Sequence, residues 1–508
     1  MTPEEATESL APVGPHLSIW VRLVRVALSF RVVLATGLAV ITFLTVSNRF
    51  NDPDLWWHLK LGQIVWNTHS IPSVDSFSYT AYGHTWAAHE WLAQLSIYSA
   101  YRLGGYTGLM LWLAVLASVL FILVYVLCYL STQDALVAFL GGVCAWYFGT
   151  IGLAIRPLIL GHIFLATELL LLELGTIRSR RWLWLLPPLF AIWVNCHGSY
   201  FLGIGVLTIC WAASYVTGDW GPVVSKAWDK SGCKLLGGIL ILCVLASCCN
   251  PVGVRLLLYP LNLYFQQSTN MNAVEEWFAP DLREWRTLGL LGAGFAVLLI
   301  PLWRRASLPL RDFLLTVMAF GLAIRHARMM ILFGIIVSPI LCRLVSPPIG
   351  NDRRQEHPVA NAALISGFLA AIIWAFPSPA GIQRQIRSAN PAGAVDYIRR
   401  SKLAGPMLNA YIYGGYLIWA LPEERVFIDG RADVFDWTGV FAEYGRWATL
   451  TEDPNVLLNK YRIRFCLFPG SSPMLHVLQY LPGWHRVYSD EVAVIYARLS
   501  NSEQALSR

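Results

Sequence analysis

Apolar residues in this chain come in long unbroken runs, not in one-faced or alternating patterns. Eleven runs approach the roughly 20 residues that an α-helix needs to cross a bilayer. They lie near 28–48, 107–130, 135–154, 158–176, 182–196, 199–216, 235–250, 287–303, 308–324, 328–345 and 361–377. The runs at 182–196 and 235–250 are short and are expected to tilt little or stop part-way. After about residue 380 the pattern changes. Strand-like runs at 406–410, 425–429, 464–468, 484–488 and 492–498 are mostly separated by helical patterns near 391–400, 433–448, 454–460 and 473–481. Gly414-Gly415, Pro422, Asp429-Gly430, Pro469-Gly470 and Pro482-Gly483 read as the turns between them. The predicted architecture is a polytopic α-helical membrane protein of about 11 spans with a C-terminal α/β domain. Its divisions are a tail at 1–26, a transmembrane module at 27–380 with a large loop at 49–106, and a soluble domain at 381–508. Residues 1–20 are polar and expected to be disordered. The first run starts late and lacks a small-residue cleavage site, which predicts an uncleaved anchor.

Composition removes the alternatives to a membrane protein. Of the 508 residues, 56% are hydrophobic and only 14% charged, against about 25% charged in soluble domains. Mean hydropathy is +0.51. A soluble enzyme, a disordered chain and a secreted disulfide scaffold are excluded. The net charge of +7 fits Lys and Arg on a cytoplasmic face and gives no case for nucleic acid. Most of the ten cysteines fall in or beside apolar runs without a CxxC pair, which predicts small core fillers.

Charge then sets direction. With the N-terminus in the cytoplasm of a bacterial cell, one set of loops collects Arg22, Arg25, Arg178, Arg180, Arg181, Lys226, Lys230, Lys234, Arg304, Arg305, Arg353 and Arg354. The 49–106 loop falls outside with only Lys60 and Arg102. An odd span count puts the C-terminal domain outside too. The outer face gathers Asp52, Asp54, His58, His89, Glu90, Arg156, Asn195, His197, Glu276, Arg325, His326 and Arg328. Ionisable groups beside membrane spans are costly and mark candidate sites.

The first outer loop opens NDPDLWWHLKLGQIVW, where Pro53 stops the first helix and Asp54 and His58 are one helical turn apart. Its second half reads GHTWAAHEWLAQ, so His89-Glu90 opens another interfacial helix. This arrangement resembles the GT-C class of membrane glycosyltransferases, which includes protein O-mannosyltransferases, lipid A aminoarabinose transferases and oligosaccharyltransferases. The phrases DPDLWWHL, D-x-FSYT-x-x-G (Asp75 to Gly83), W-x-x-HEWL, W-x-N-x-HG, GGYLIW and VFIDGRAD are similar to those of bacterial GT-C-like proteins.

The resemblance implies a membrane enzyme that transfers a sugar, with inversion, from a polyprenyl-phosphate donor to a lipid or glycan acceptor at the outer face. Asp54 or Asp52 would be the base, with Asp54 the first choice because it can share a face with His58. The other would orient the acceptor or hold a divalent cation. No cofactor is otherwise implied, and the histidine spacing fits no metal motif. Arg156, Arg325 and Arg328 suit the phosphate. Asn195, His197 and Glu276 are further substrate-binding candidates. In VFIDGRADVFDW, Arg431 and Asp433 shape the acceptor pocket, or Asp429-Gly430 is only a turn and Asp433 only a helix N-cap. A lipid or glycan transporter and a non-catalytic scaffold of envelope polysaccharide assembly are the competing classes. Polar groups that collect on one side disfavour the transporter, and the retained Asp52, Asp54 and arginines disfavour the scaffold.

Overall fold

The computed structural model describes residues 19–47, 50–266, 277–346 and 356–498. Among them, six helices are long and apolar enough to cross a membrane: Trp91–Thr132, Ala135–Gly152, Leu158–Ile177, Trp285–Arg304, Ala327–Val345 and Pro358–Ala375. Ile19–Ala27 and Phe30–Val46, bent by 46°, make a seventh if taken together. The predicted runs at 182–196, 199–216, 235–250 and 308–324 fold as shorter helices, Leu186–Trp193, Tyr200–Ala213, Lys230–Ala246 and Leu310–Arg325. In the first of these, a 3-10 turn at Arg180–Leu185 uses up residues before Pro187 and Pro188 start the α-helix.

Met330–Val345 is buried along most of its length and is the hub of the bundle. Pro358–Ala375 buries only Asn361 and leans on the Phe30–Val46 helix, with Phe376 stacked on Phe43 at 5.9 Å. Trp91–Thr132 is two helices joined at Gly104-Gly105. Gly105 has φ 58° and ψ −142°, a conformation that side chains resist. The first part is a helix that starts at Trp91 with Glu90 as its N-cap.

Two ends of the bundle differ in chemistry. At one end, Gly218–Trp220, Val223–Ser225 and Leu308–Pro309 form a small three-stranded sheet. Nearby, Glu173, Arg311, Asp312 and Arg343 close an ion ring, with contacts of 3.1, 3.1, 2.6 and 3.7 Å. Two acids and two bases neutralise one another there, as partly buried charges require. The other end carries the 50–90 loop and the C-terminal region.

The C-terminal region is built on a four-stranded sheet in the order Met407–Asn409, Phe465–Pro469, Ala493–Arg498, Trp484–Ser489. The first pair is parallel and the others antiparallel. Two expectations need correction. Segment 425–429 is not a strand of this sheet. Its Val426 makes an isolated bridge to Ser78 of the 50–90 loop, and Asn409 holds Phe427 and Ile428 by side-chain hydrogen bonds. Gly414-Gly415 is not a turn but lies inside the helix Tyr411–Ala420. A Cβ at Gly415 would run into the Pro53 carbonyl, and one at Gly414 into the Ile428 carbonyl. The glycines are there for close approach, Gly415 to the acidic motif and Gly414 to the 428–429 segment.

Candidate functional site

Asp54 is the N-cap of the helix Leu55–Thr68, and the His58 amide donates to the Asp54 carbonyl, so the predicted one-turn relation exists. The two carboxylates are organised by Arg156, from the loop before the helix Leu158–Ile177. Arg156 Nε donates to Asp52 Oδ2 at 2.6 Å, and its Nη2 lies 3.2 Å from Asp54 Oδ2. Asp52 Oδ1 accepts the Asp54 amide at 2.9 Å, and Asp54 Oδ1 accepts Trp57 Nε1 at 3.1 Å.

Asp54 lines a cavity of about 1410 Å³ together with Trp57, His58, Trp86, His89, Glu90, Arg156, His162, His197, Tyr259, Trp277, His326, Arg328, Tyr411, Gly430, Arg431 and Asp433. Asp52 is outside that lining and nearly buried, so it stands behind Asp54 as the anchor of Arg156. His326 Nδ1 donates to the Trp277 carbonyl at 2.7 Å, and the Arg328 guanidinium sits 4.3 Å above the Trp277 ring. Aromatic contact helps to hold that cation in place.

Glu90 stands between two imidazoles. His197 Nε2 lies 3.5 Å from Glu90 Oε1, and His58 Nδ1 3.9 Å from Glu90 Oε2. Gln94 Nε2 donates to His58 Nδ1, and the Ser199 amide donates to His197 Nδ1. Those bonds leave the Nε2 proton of each ring in place. Burial, with Arg156 and then His197 and His89 adding to it, holds His58 well below the ordinary histidine range. Burial, Arg328 and the neighbouring His89 and His162 do the same for His197. Burial, helped by Asp433 and Asp54, pushes Glu90 up to about 8. The cluster is therefore neutral near pH 7, and Glu90 is a hydrogen-bond donor.

A stability test follows from Glu90. Its folded pKa of about 8 exceeds an unfolded value of about 4.3. Its contribution is complete below the unfolded value and is lost as pH rises through the folded one. Glu90→Gln cannot ionise. The melting temperature of the wild type should fall relative to Glu90→Gln as pH rises from about 5 to about 9. A difference that stays flat over this range would show that Glu90 is not held neutral.

Several predicted residues sit elsewhere. Asn195 does not line the cavity. It accepts from Trp91 Nε1 at 2.7 Å and donates to the Ala191 and Cys249 carbonyls, clamping three segments. Arg325 is exposed at the end of its helix and outside the lining, because a 3-10 turn at Ala327–Met329 sends Arg328 inward instead. Glu276 lies outside the described residues. Asp433 accepts from Tyr259 at 2.8 Å. Arg431 is 2% exposed. Its Nε and Nη2 donate to Asp429 at 2.8 and 2.6 Å, and its Nη1 lies 2.7 Å from Asp75 Oδ1. Arg431 thus bonds the C-terminal region to the first loop, and its charge is spent on two aspartates before any substrate arrives.

Sequence reading missed Tyr259, Tyr411 and Gly430. Tyr411 donates to the Gly430 carbonyl, and a Cβ on Gly430 would collide with Asp54 Oδ1 and lie 3.3 Å from Trp57 Nε1. Gly430 does not have a positive φ, so its backbone tolerates alanine. Gly430→Ala is expected to fold but to displace the Asp54 carboxylate, which would lower the turnover of any reaction that uses this carboxylate about a hundredfold, the scale of an ångström misplacement. Unchanged turnover in a folded Gly430→Ala protein would sever Asp54 from the chemistry.

Among the described residues, no group of three or more His, Cys, Asp or Glu side chains is arranged to hold a metal ion.

No protein-family model and no curated protein sequence matches the chain. Solved structures do. Over 92% of its length the chain is similar to the archaeal oligosaccharyltransferase AglB from Archaeoglobus fulgidus, in complex with an inhibitory peptide and a dolichol-phosphate, covering 74% of that chain at TM-score 0.51 and 12% identity. Over the same share it is similar to ArnT from Cupriavidus metallidurans bound to undecaprenyl phosphate, covering 98% of that chain at TM-score 0.50 and 13% identity. Both are GT-C glycosyltransferases. The chain has the GT-C fold and is a membrane protein. Identities this low establish the fold alone.

Proposed function

We propose that this protein is a membrane glycosyltransferase that moves a sugar from a polyprenyl-phosphate carrier to a lipid or glycan acceptor at the outer face of the cell membrane, with inversion. One observation carries the reading. Asp54 and Arg328, 274 positions apart in the sequence numbering, meet on the wall of one cavity that also holds Glu90 between two neutral histidines. A basic group, a fixed cation and neutral donors are what an inverting displacement uses.

In this reading the acceptor hydroxyl attacks the anomeric carbon from the face opposite the phosphate. The new C–O bond forms as the bond from that carbon to the phosphate oxygen breaks. Asp54 takes the hydroxyl proton. The electron pair of the broken bond leaves with the phosphate, which Arg328 stabilises. Glu90 donates to a sugar hydroxyl, and the indoles of Trp57, Trp86 and Trp277 offer apolar walls. The carrier lipids bound to AglB and ArnT support a polyprenyl phosphate as the leaving group. We place the N-terminus in the cytoplasm and the C-terminal α/β domain outside, with about 11 crossings if the shorter helices also span. The basic loops around Arg180, Lys230 and Arg304 support that direction.

The test uses purified protein in lipid nanodiscs with a polyprenyl-phosphate hexose. Release of polyprenyl phosphate, dependent on an acceptor glycan or lipid, is the expected result. In vesicles, movement of the intact donor across the bilayer without bond cleavage would replace this reading with transport.

A further inference from the structure

We propose that Arg156 is a built-in counter-cation, whose guanidinium takes the place between Asp52 and Asp54 that a divalent metal ion would need, so that this site works without metal. This rests on the glycosyltransferase reading for its consequence but not for its geometry. Paired acids just after a first membrane span invite a divalent ion, which asks for unengaged oxygens and several ligands. Neither is present. Each of the four carboxylate oxygens faces a nitrogen that carries a proton. Asp52 Oδ2 has Arg156 Nε at 2.6 Å, and Asp52 Oδ1 has the Asp54 amide at 2.9 Å. Asp54 Oδ1 has Trp57 Nε1 at 3.1 Å, and Asp54 Oδ2 has Arg156 Nη2 at 3.2 Å. A cation entering between the acids would displace the guanidinium and meet N–H groups. Among the described residues, no suitable cluster of acids, histidines or cysteines supplies a third ligand.

The planar guanidinium also does what a sphere of charge does not. It offers separate N–H groups to the two acids and so fixes the angle between them. Two lone pairs on each carboxylate oxygen leave Asp54 able to receive a proton while Arg156 holds it. Arg156 is in this sense a positioning residue for Asp54.

The experiment measures Mn²⁺ binding to the purified full chain by electron paramagnetic resonance and calorimetry, beside the Asp52→Asn and Asp54→Asn variants. The expected result is that the wild type binds no more Mn²⁺ than either variant. One Mn²⁺ per wild-type chain, lost in both variants, would overturn the proposal, whether or not the protein transfers sugar. A second measurement uses turnover. Removing a metal that acts as a Lewis acid costs roughly a thousandfold, whereas EDTA treatment here should change transfer by about twofold at most. Activity lost to EDTA and restored by Mn²⁺ would equally overturn it. Absence of transfer by the untreated protein would count against the glycosyltransferase reading and leave the Mn²⁺ result standing.

Discussion

Asp54→Asn is expected to lower sugar transfer about a thousandfold, the middle of the range for a lost general base, while the protein still folds. Asparagine keeps an oxygen for Trp57 Nε1. Its amide nitrogen would face Arg156 Nη2, a donor against a donor, but Asp52 still holds the guanidinium at 2.6 Å. The stability cost should therefore stay near about 1–2 kcal/mol, that of one unsatisfied polar contact. Asp52→Asn should show the opposite balance. Asp52 is away from the cavity lining and anchors both Arg156 and the Asp54 amide. Its loss should loosen the whole motif, with a larger fall in melting temperature and a smaller fall in turnover. Transfer of a labelled sugar and thermal unfolding on the same preparations separate the two. Full activity in both variants would remove the carboxylate base from the reaction.

The part of this site that was legible in the sequence is the part that local patterns encode. The DPD string after an apolar run, the HEW string before another and the IRHAR string at a helix end each break a local rule. They put charge where hydrocarbon begins, and such violations point to function. Five of their ionisable residues, Asp54, His89, Glu90, His326 and Arg328, line the cavity. Arg325 stands outside that lining, because one residue decides which side of a helix end faces inward. Asn195 stands outside it too, and a buried amide that ties carbonyls together looks, in a string, like one that binds a ligand.

What stayed hidden is the seam between the first loop and the C-terminal region. Its bonds join positions more than three hundred residues apart, such as Tyr79 to Met407 and Thr80 to Phe427, and no periodicity announces them. The segment 425–429 has strand composition and finds a partner, but outside its own sheet, at Ser78. The D-x-FSYT string carried the other half. Asp75 caps the turn through the amides of Phe77 and Ser78 and the Ser78 hydroxyl, leaving one edge for Arg431.

That seam supports the second large prediction, for Arg431→Met. Methionine fills much of the space but abandons Asp75 and Asp429, both of which are buried. Removing one partner from a buried ion cluster costs about 3–5 kcal/mol, and the neighbouring rings of Phe77 and Trp86, 4.9 and 4.7 Å from the guanidinium, also lose their cation. Arg431→Lys should rescue little, because an ammonium cannot reach two carboxylates with a fixed fork. The fall in stability should carry the chemistry with it, since Gly430, which packs on Asp54, is the next residue. Two roles for Arg431 then separate cleanly. If it bonds the two regions, Arg431→Met melts earlier and loses kcat, and restoring neutrality with Asp75→Asn and Asp429→Asn recovers part of the melting temperature. If it binds substrate, Arg431→Met raises KM at an unchanged melting temperature, and the two asparagines restore nothing. The buried cluster of two acids around one guanidinium argues for the first outcome.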